Sequence, residues 1–273
     1  MRAALLLAGF ALGSCSAAPS IAPGGIVSNN PCIDAVLAEI AAPGQISAVS
    51  IYSYDANSAS APIAWARAIP AIGTSAEEII AARPRLVLTG DLASSETNAA
   101  LAQAGVKTVA VGVPATIDDS KQQVVQIAKA VGREDAGEAL AKRIDMATAP
   151  QPQLQEKPTA IIWQNGGFVA GKGTLQDEML ERAGFTNASS AYGLGGWDIL
   201  PLETLIRKPP RVIFMPADAK GGDARSLAAR RQMLRHLGDK VKIIPFPDQL
   251  LFCGGPTIIE AAKVLRRARE ELL

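Results

Sequence analysis

Histidine is almost absent from this chain of 273 residues, which contains only His236. That residue lies close to Arg231 and Arg235, in a segment typical of a solvated helix. Carriers of bare zinc or manganese need several histidine and carboxylate ligands, so we assign no metal-ligating residues. A serine hydrolase needs a histidine base, and the Gly-x-Ser-x-Gly motif is missing as well. We therefore expect that the protein is not an enzyme.

The chain also has no excess of charge of one sign. It contains 27 Lys and Arg residues and 26 Asp and Glu residues, for a net charge of +1. This balance gives no electrostatic basis for binding nucleic acid or an anionic membrane surface. A hydrophobic fraction of 48% with 19% charged residues predicts a well-packed globular protein, which we expect to be a monomer.

The N-terminus has the pattern of an export signal. A positive charge at Arg2 precedes an apolar run over residues 3–12, which is too short to span a bilayer as a helix. We predict a signal peptide over residues 1–18. The sequence Leu-Gly-Ser-Cys that ends at Cys15 resembles a bacterial lipobox, in which the cysteine is lipidated. Lipidation and plain secretion both remain open, and membrane contact is expected only through such a lipid anchor.

Short apolar runs alternate with helical patterns along most of the chain. This alternation predicts parallel sheets covered by helices. Residues 117–149 interrupt it with a long helical pattern that Gly132 and Gly137 disturb only mildly. We therefore predict an α/β fold with an N-terminal lobe over residues 25–116, one long inter-lobe helix over 117–149, and a C-terminal lobe over 158–273.

Two segments share one pattern, which predicts that the lobes are pseudo-symmetric. Residues 75–88 match residues 201–214: each has a glutamate, two aliphatic residues, a proline seven positions after the glutamate, then arginine and an apolar strand. Glu77 and Glu203 fall in the first turn of a short helix, where a carboxylate faces the positive end of the helix dipole. They either stabilise these helices or form matched contact points for a two-fold partner.

With these features the chain resembles the class III periplasmic binding proteins of ABC importers, which carry cobalamin, iron–siderophores and heme. The resemblance includes Asn30-Pro31 after the first strand, the two glutamate units, the segment 170–176 and Gly255-Pro256 before the last helix. It implies a periplasmic protein with a ligand cleft between rigid lobes. It also implies that one glutamate per lobe, Glu77 and Glu203 by position, pairs with arginines of a permease dimer that works with ATPase subunits.

The resemblance suggests residues that meet the ligand. Tyr54, Phe168 and Trp197 match ligand-contacting aromatic residues of the cobalamin-binding member, whereas two of its tryptophans fall at Ala71 and Gly90 here. Cobalamin is thus the favoured cargo, with a ferric siderophore or heme as alternatives, and the protein needs no cofactor of its own. An exported α/β enzyme and a lipid-anchored scaffold domain are the competing functions. The remaining ligand-binding candidates are Asn30, Cys32, Tyr52, Trp65, Asp248, Gln249 and Cys253.

Cys32 and Cys253 are expected to border the cleft from opposite lobes. Cys32 opens the first helix, and Cys253 precedes the last one. Three interpretations compete. The two residues form a disulfide across the cleft, their thiolates ligate the metal of a bound chelate, or they are small buried residues without a special role.

Overall fold

The computed structural model describes residues 21–90, 95–150, 156–216 and 223–272. The predicted signal peptide and Cys15 lie outside the described residues. The N lobe is built on five parallel strands in the order β3-β2-β1-β4-β5. These strands are β1 (Ile26–Ser28), β2 (Ile46–Ser50), β3 (Ala71–Ile72), β4 (Leu86–Gly90) and β5 (Thr108–Val111).

The C lobe is built on four parallel strands in the order β11-β10-β6-β8, to which an antiparallel ribbon of β7 and β9 is added. The predicted α/β class with parallel central sheets is therefore confirmed. The strands of this lobe are β6 (Thr159–Ile162), β7 (Phe168–Ala170), β8 (Thr186–Asn187), β9 (Trp197–Ile199), β10 (Val212–Met215) and β11 (Lys242–Pro245).

Helices cover both sheets, and ten α-helices lie in the described part of the chain. They bury both faces of the central strands β1, β4 and β10, which is why these strands read as apolar runs. The helices are α1 (Pro31–Ile40), α2 (Ile63–Arg67), α3 (Ala76–Ala81), α4 (Ser95–Gln103), α5 (Ile117–Val131), α6 (Glu134–Ala147), α7 (Leu175–Arg182), α8 (Leu202–Arg207), α9 (Asp223–Arg235) and α10 (Thr257–Glu270). No described helix is both long and apolar enough to cross a membrane.

The segment 117–149 corrects the prediction of one continuous helix, because it forms two helices that pack against each other. Gly132 ends α5 in the left-handed region, with φ 69° and ψ 42°, and α6 begins two residues later. Gly137 then allows the two helices to approach closely, since a Cβ at this position would lie 2.3 Å from Ala128 Cβ. The two glycines that disturb the helical pattern thus allow the hairpin: Gly132 ends α5, and Gly137 allows α6 to pack closely against it.

The α5–α6 hairpin joins the lobes through one continuous hydrophobic cluster. Val124 and Ile144, one from each helix of the hairpin, are fully buried in it. The same cluster contains Val36 of α1 in the N lobe and Leu265 of α10 in the C lobe. The two lobes therefore share one core, which resists large hinge motions.

The predicted pseudo-symmetry appears in the strand order of the sheets. The order β2-β1-β4-β5 of the N lobe corresponds to β8-β6-β10-β11 of the C lobe. In both lobes a six-residue helix, α3 or α8, precedes the strand of the matched segment, β4 or β10. Ile79 and Leu205, which correspond in the repeat, are both fully buried. The repeat read from the sequence is therefore one structural unit used twice.

Candidate functional site

The carboxyl-terminal edges of the two sheets meet at a disulfide. Cys32, in the first turn of α1, is bonded to Cys253, which lies 221 residues further along the chain and just before α10. Their Cα atoms are 5.1 Å apart, and the S–S distance is 2.08 Å. Of the three interpretations left open by the sequence, the structure contains the disulfide. The hydroxyl of Ser60 donates to the carbonyl of Gln249 at 3.0 Å and adds a second contact between the lobes.

A pocket lies beside this disulfide and contains no ionisable side chain among its described lining residues. Asn30 closes one end of it: its Oδ1 accepts from the Cys32 amide at 2.8 Å and caps α1. Gly90 leaves space for that side chain, since a Cβ there would lie 2.7 Å from Asn30 Nδ2. The lining residues are Asn30, Cys32, Ile33, Val36, Gly90, Val111, Gly112, Val113, Pro114, Gln123, Ile127, Phe252 and Gly254.

The C lobe presents an apolar face at this edge. Phe168 of β7 pairs with Ile199 of β9, and Trp197 lies on the same side of the ribbon because strand side chains repeat every two residues. All three are about half exposed, Trp197 at 48%. Val169, on the opposite side, is fully buried against the C-lobe core. The ribbon therefore presents three large apolar side chains to solvent where the carboxyl end of β6 faces the other lobe.

The N lobe presents a second apolar face, in the single turn of 3-10 helix over Ile51–Tyr54 that follows β2. Ile51 and Tyr52 are exposed at 53% and 52%. Tyr54 instead packs against the core and donates its hydroxyl to the Ile69 carbonyl. Trp65 is also partly buried against that core. The structure thus brings Tyr52 to the edge and places Tyr54 and Trp65 in the packing of the N lobe.

Two residues that the sequence analysis missed also belong to this edge. Phe252 is 57% exposed and lines the pocket beside the disulfide. Ile199 could have been found from the two-residue period of its strand, which places it beside Trp197. Gln249 lies elsewhere, in a groove of about 630 Å³ between the lobes that α10 also lines. Asp248 begins the short 3-10 helix that contains Gln249.

Glu77 and Glu203 are exposed in the first turns of the matched helices α3 and α8. The hydrogen-bonding cap of α3 is Ser75, whose hydroxyl accepts from the Glu78 amide at 3.3 Å. Neither Glu77 nor Glu203 forms a hydrogen bond or ion pair with any described residue. Both carboxylates are therefore available to a partner at equivalent positions of the two lobes.

A family model decides the classification, because the model for periplasmic binding proteins matches residues 26–235. The chain belongs to the periplasmic binding protein family. The members of this family are solute-binding proteins, which agrees with the expectation of a non-enzymatic role and a small-molecule ligand. The comparison with curated proteins gave no significant match.

Solved structures share this fold at low sequence identity. The periplasmic heme-binding protein RhuT from Roseiflexus sp. RS-1, in its apo form, is 24% identical with a TM-score of 0.69, and the alignment covers 90% of this chain and 99% of that one. The heme-binding protein HutB of Vibrio cholerae is 17% identical, with a TM-score of 0.70 and coverage of 90% and 98%. CeuE of Helicobacter pylori with Ni(II) bound is 15% identical, with a TM-score of 0.66 and coverage of 92% and 85%.

A buried carboxylate lies beneath the N-lobe face. Asp34 of α1 is fully buried, and its Oδ2 accepts from the Ser50 amide at 2.9 Å and the Ser53 hydroxyl at 2.6 Å. Burial raises the pKa of Asp34 from 3.8 to about 7, against the lowering effect of the nearby Ser28 and Ser53 hydroxyls and the Ser50 amide. Its Oδ1 has no hydrogen-bond partner among the described residues.

Asp34→Asn should remove a pH dependence of stability. Because the pKa of Asp34 is higher in the folded than in the unfolded protein, stability is greatest below about pH 4 and falls as the pH rises to about 7. Between pH 5 and 8 we expect the wild type to lose roughly 3 kcal/mol relative to the variant. Urea unfolding of both proteins at the two pH values measures this. If both proteins lose the same free energy of unfolding between pH 5 and 8, the pH dependence does not come from Asp34.

Proposed function

We propose that the protein is the extracytoplasmic binding component of an ABC importer and that it delivers a bulky metal chelate to a permease dimer with its ATPase subunits. The observation that carries this proposal is the pair of apolar faces on the two lobes. Ile51 and Tyr52 on one lobe and Phe168, Trp197 and Ile199 on the other are about half exposed. Such area is a strong source of binding energy for a ligand that covers both faces.

Cobalamin is the first candidate cargo, and the uncharged side chains of the two apolar faces support it. A bare metal ion or an anionic ferric siderophore needs charged side chains to offset its charge. Cobalamin is neutral and its cobalt is six-coordinate, so it needs no ligand from the protein.

Heme is the second candidate, and the exposed phenol of Tyr52 supports it. A tyrosine oxygen can serve as an axial ligand of heme iron. The solved structures RhuT and HutB, which share the fold, are described as heme-binding proteins. Heme carries two propionate groups, however, and none of the five residues of the two apolar faces is cationic.

Titration of the purified protein tests the proposal. Cyanocobalamin, hemin and a ferric siderophore are added in turn, and tryptophan fluorescence and the melting temperature are measured. We expect one of the three to quench the fluorescence saturably at one equivalent per chain and to raise the melting temperature. The absence of binding by all three would contradict the proposal and favour a scaffold role.

Trp197→Ala should weaken chelate binding by about 10- to 100-fold, as is typical for an aromatic residue at the centre of an interface. The side chain is about half exposed, so we expect little loss of stability. Met146→Ala removes an equally apolar and more exposed side chain from α6 and is the matched control. Isothermal titration with the chelate that binds the wild type measures both. Equal affinity of the two variants for the chelate would show that the C-lobe ribbon does not contact the ligand.

The docking and export of the protein belong to the same proposal. Glu77 and Glu203 contact the two permease subunits, which is supported by their exposure and their equivalent positions in the lobes. Residues 1–18 act as the signal peptide and direct a monomeric protein to the periplasm. If Cys15 carries lipid, it tethers the protein to the membrane without a spanning segment.

A further inference from the structure

The carboxylate of Asp34 holds the turn that exposes Ile51 and Tyr52. It accepts hydrogen bonds from the Ser50 amide and the Ser53 hydroxyl, the residues on either side of this pair. The Tyr52 amide in turn donates to the Ser50 hydroxyl at 3.3 Å. Both serines are fully buried, as is Asp34. One carboxylate oxygen therefore fixes both ends of a two-residue exposed segment.

The start of α1 does not account for this buried acid. Asn30 already caps the helix, accepting from the amides of Cys32 and Ile33. The second oxygen of Asp34 makes no hydrogen bond within the described chain. Burial of an incompletely paired carboxylate is unfavourable by several kcal/mol, and the nearby helix N-terminus offsets only part of this. The two hydrogen bonds that Oδ2 accepts both come from the turn after β2.

We propose that Asp34 is a positioning residue of the ligand site and that it acts through Tyr52. This inference rests on the proposed function, since it takes Tyr52 as a ligand contact. The carboxylate preorganises the turn before the ligand arrives, so that binding does not have to order it. The positioning is local: Asp34 touches the turn after β2 and does not contact the C-lobe ribbon.

A double-mutant cycle separates positioning from a general loss of stability. Affinity for cyanocobalamin, and in parallel for hemin, is measured in the wild type, Tyr52→Ala and Trp197→Ala, each with and without Asp34→Ala. We expect Asp34→Ala to weaken binding about 10-fold in the wild type and in the Trp197→Ala protein, with no further loss in the Tyr52→Ala protein. Asp34→Asn keeps an acceptor oxygen and should retain most of the affinity. Equal losses in all backgrounds, or no loss in any, would overturn the proposal.

Hydrogen exchange gives a readout that needs no ligand. Asp34→Ala should speed amide exchange in residues 50–54 and leave residues 166–170 of the C-lobe ribbon unchanged. Ser53→Ala removes only one of the two hydrogen bonds to Asp34 Oδ2. It replaces Asp34→Ala in this experiment if that variant does not fold. Unchanged exchange in residues 50–54 of a folded variant would refute the positioning role. If the wild type binds no chelate but exchange in this turn accelerates, the proposed function fails and the structural role of Asp34 stands.

Discussion

Reversal of charge at both Glu77 and Glu203 should abolish uptake and leave ligand binding intact. The two carboxylates are exposed, unpaired within the described chain and equivalent in the two lobes, and neither lines the pocket beside the disulfide or the groove beside α10. If the two glutamates pair with permease arginines, as proposed, a lysine at each position places like charges against each other. Each such contact is unfavourable by several kcal/mol, so we expect uptake to fall by at least about 100-fold.

Uptake of the labelled chelate is measured in cells that contain the variant as their only copy of the binding protein. Glu78→Lys, one residue along the same helix, is the matched control because it makes the same change of charge and does not belong to the repeated pair. Each single variant should show an intermediate defect, since one contact remains. Normal uptake by the double variant would refute docking through these residues.

Removal of the disulfide should strongly destabilise the protein. A crosslink between residues 221 apart restricts the unfolded chain over most of its length, and such long loops correspond to roughly 4–5 kcal/mol. For a protein of this size we expect Cys32→Ala/Cys253→Ala to melt about 10 °C or more below the wild type. The variant should also bind the chelate more weakly, because the disulfide joins the two lobes beside the pocket.

Thermal unfolding of the double variant and of the wild type with and without dithiothreitol measures this effect. The reduced wild type should melt close to the double variant, and thiol titration of the untreated, unfolded wild type should find neither Cys32 nor Cys253 free. Equal melting temperatures in all three samples would show that the disulfide contributes nothing to stability.

The sheets and their repetition could be predicted because their signals are local. Buried parallel strands read as apolar runs, and the helix–strand unit around Glu77 recurs around Glu203 with the same spacing. The α5–α6 hairpin could not be recognised in the same way. Both helices bury one face in the same cluster, so the apolar period continues through Gly132, and a glycine within such a pattern does not specify whether the helix bends, ends or continues.

Candidate site residues could be predicted from the sequence only where the end of a strand places a side chain at the surface. Tyr52 and Trp197 are exposed, whereas the neighbouring Tyr54 packs against the core. The pairing of Cys32 with Cys253 depends on a distance between Cα atoms that no local pattern encodes. Asp34 did leave a signal, since it is an acid on the apolar face of α1, but its partners in the turn after β2 appear only in the structure.

The two lobes are proposed to bind one chelate between their apolar faces. Hydrogen exchange with and without a saturating chelate tests this claim most directly, with cyanocobalamin and hemin examined separately. Simultaneous protection of residues 50–54 in the N lobe and of residues 166–170 and 196–199 in the C lobe is the result we predict. Protection confined to one lobe, or located in the groove beside α10, would contradict the claim.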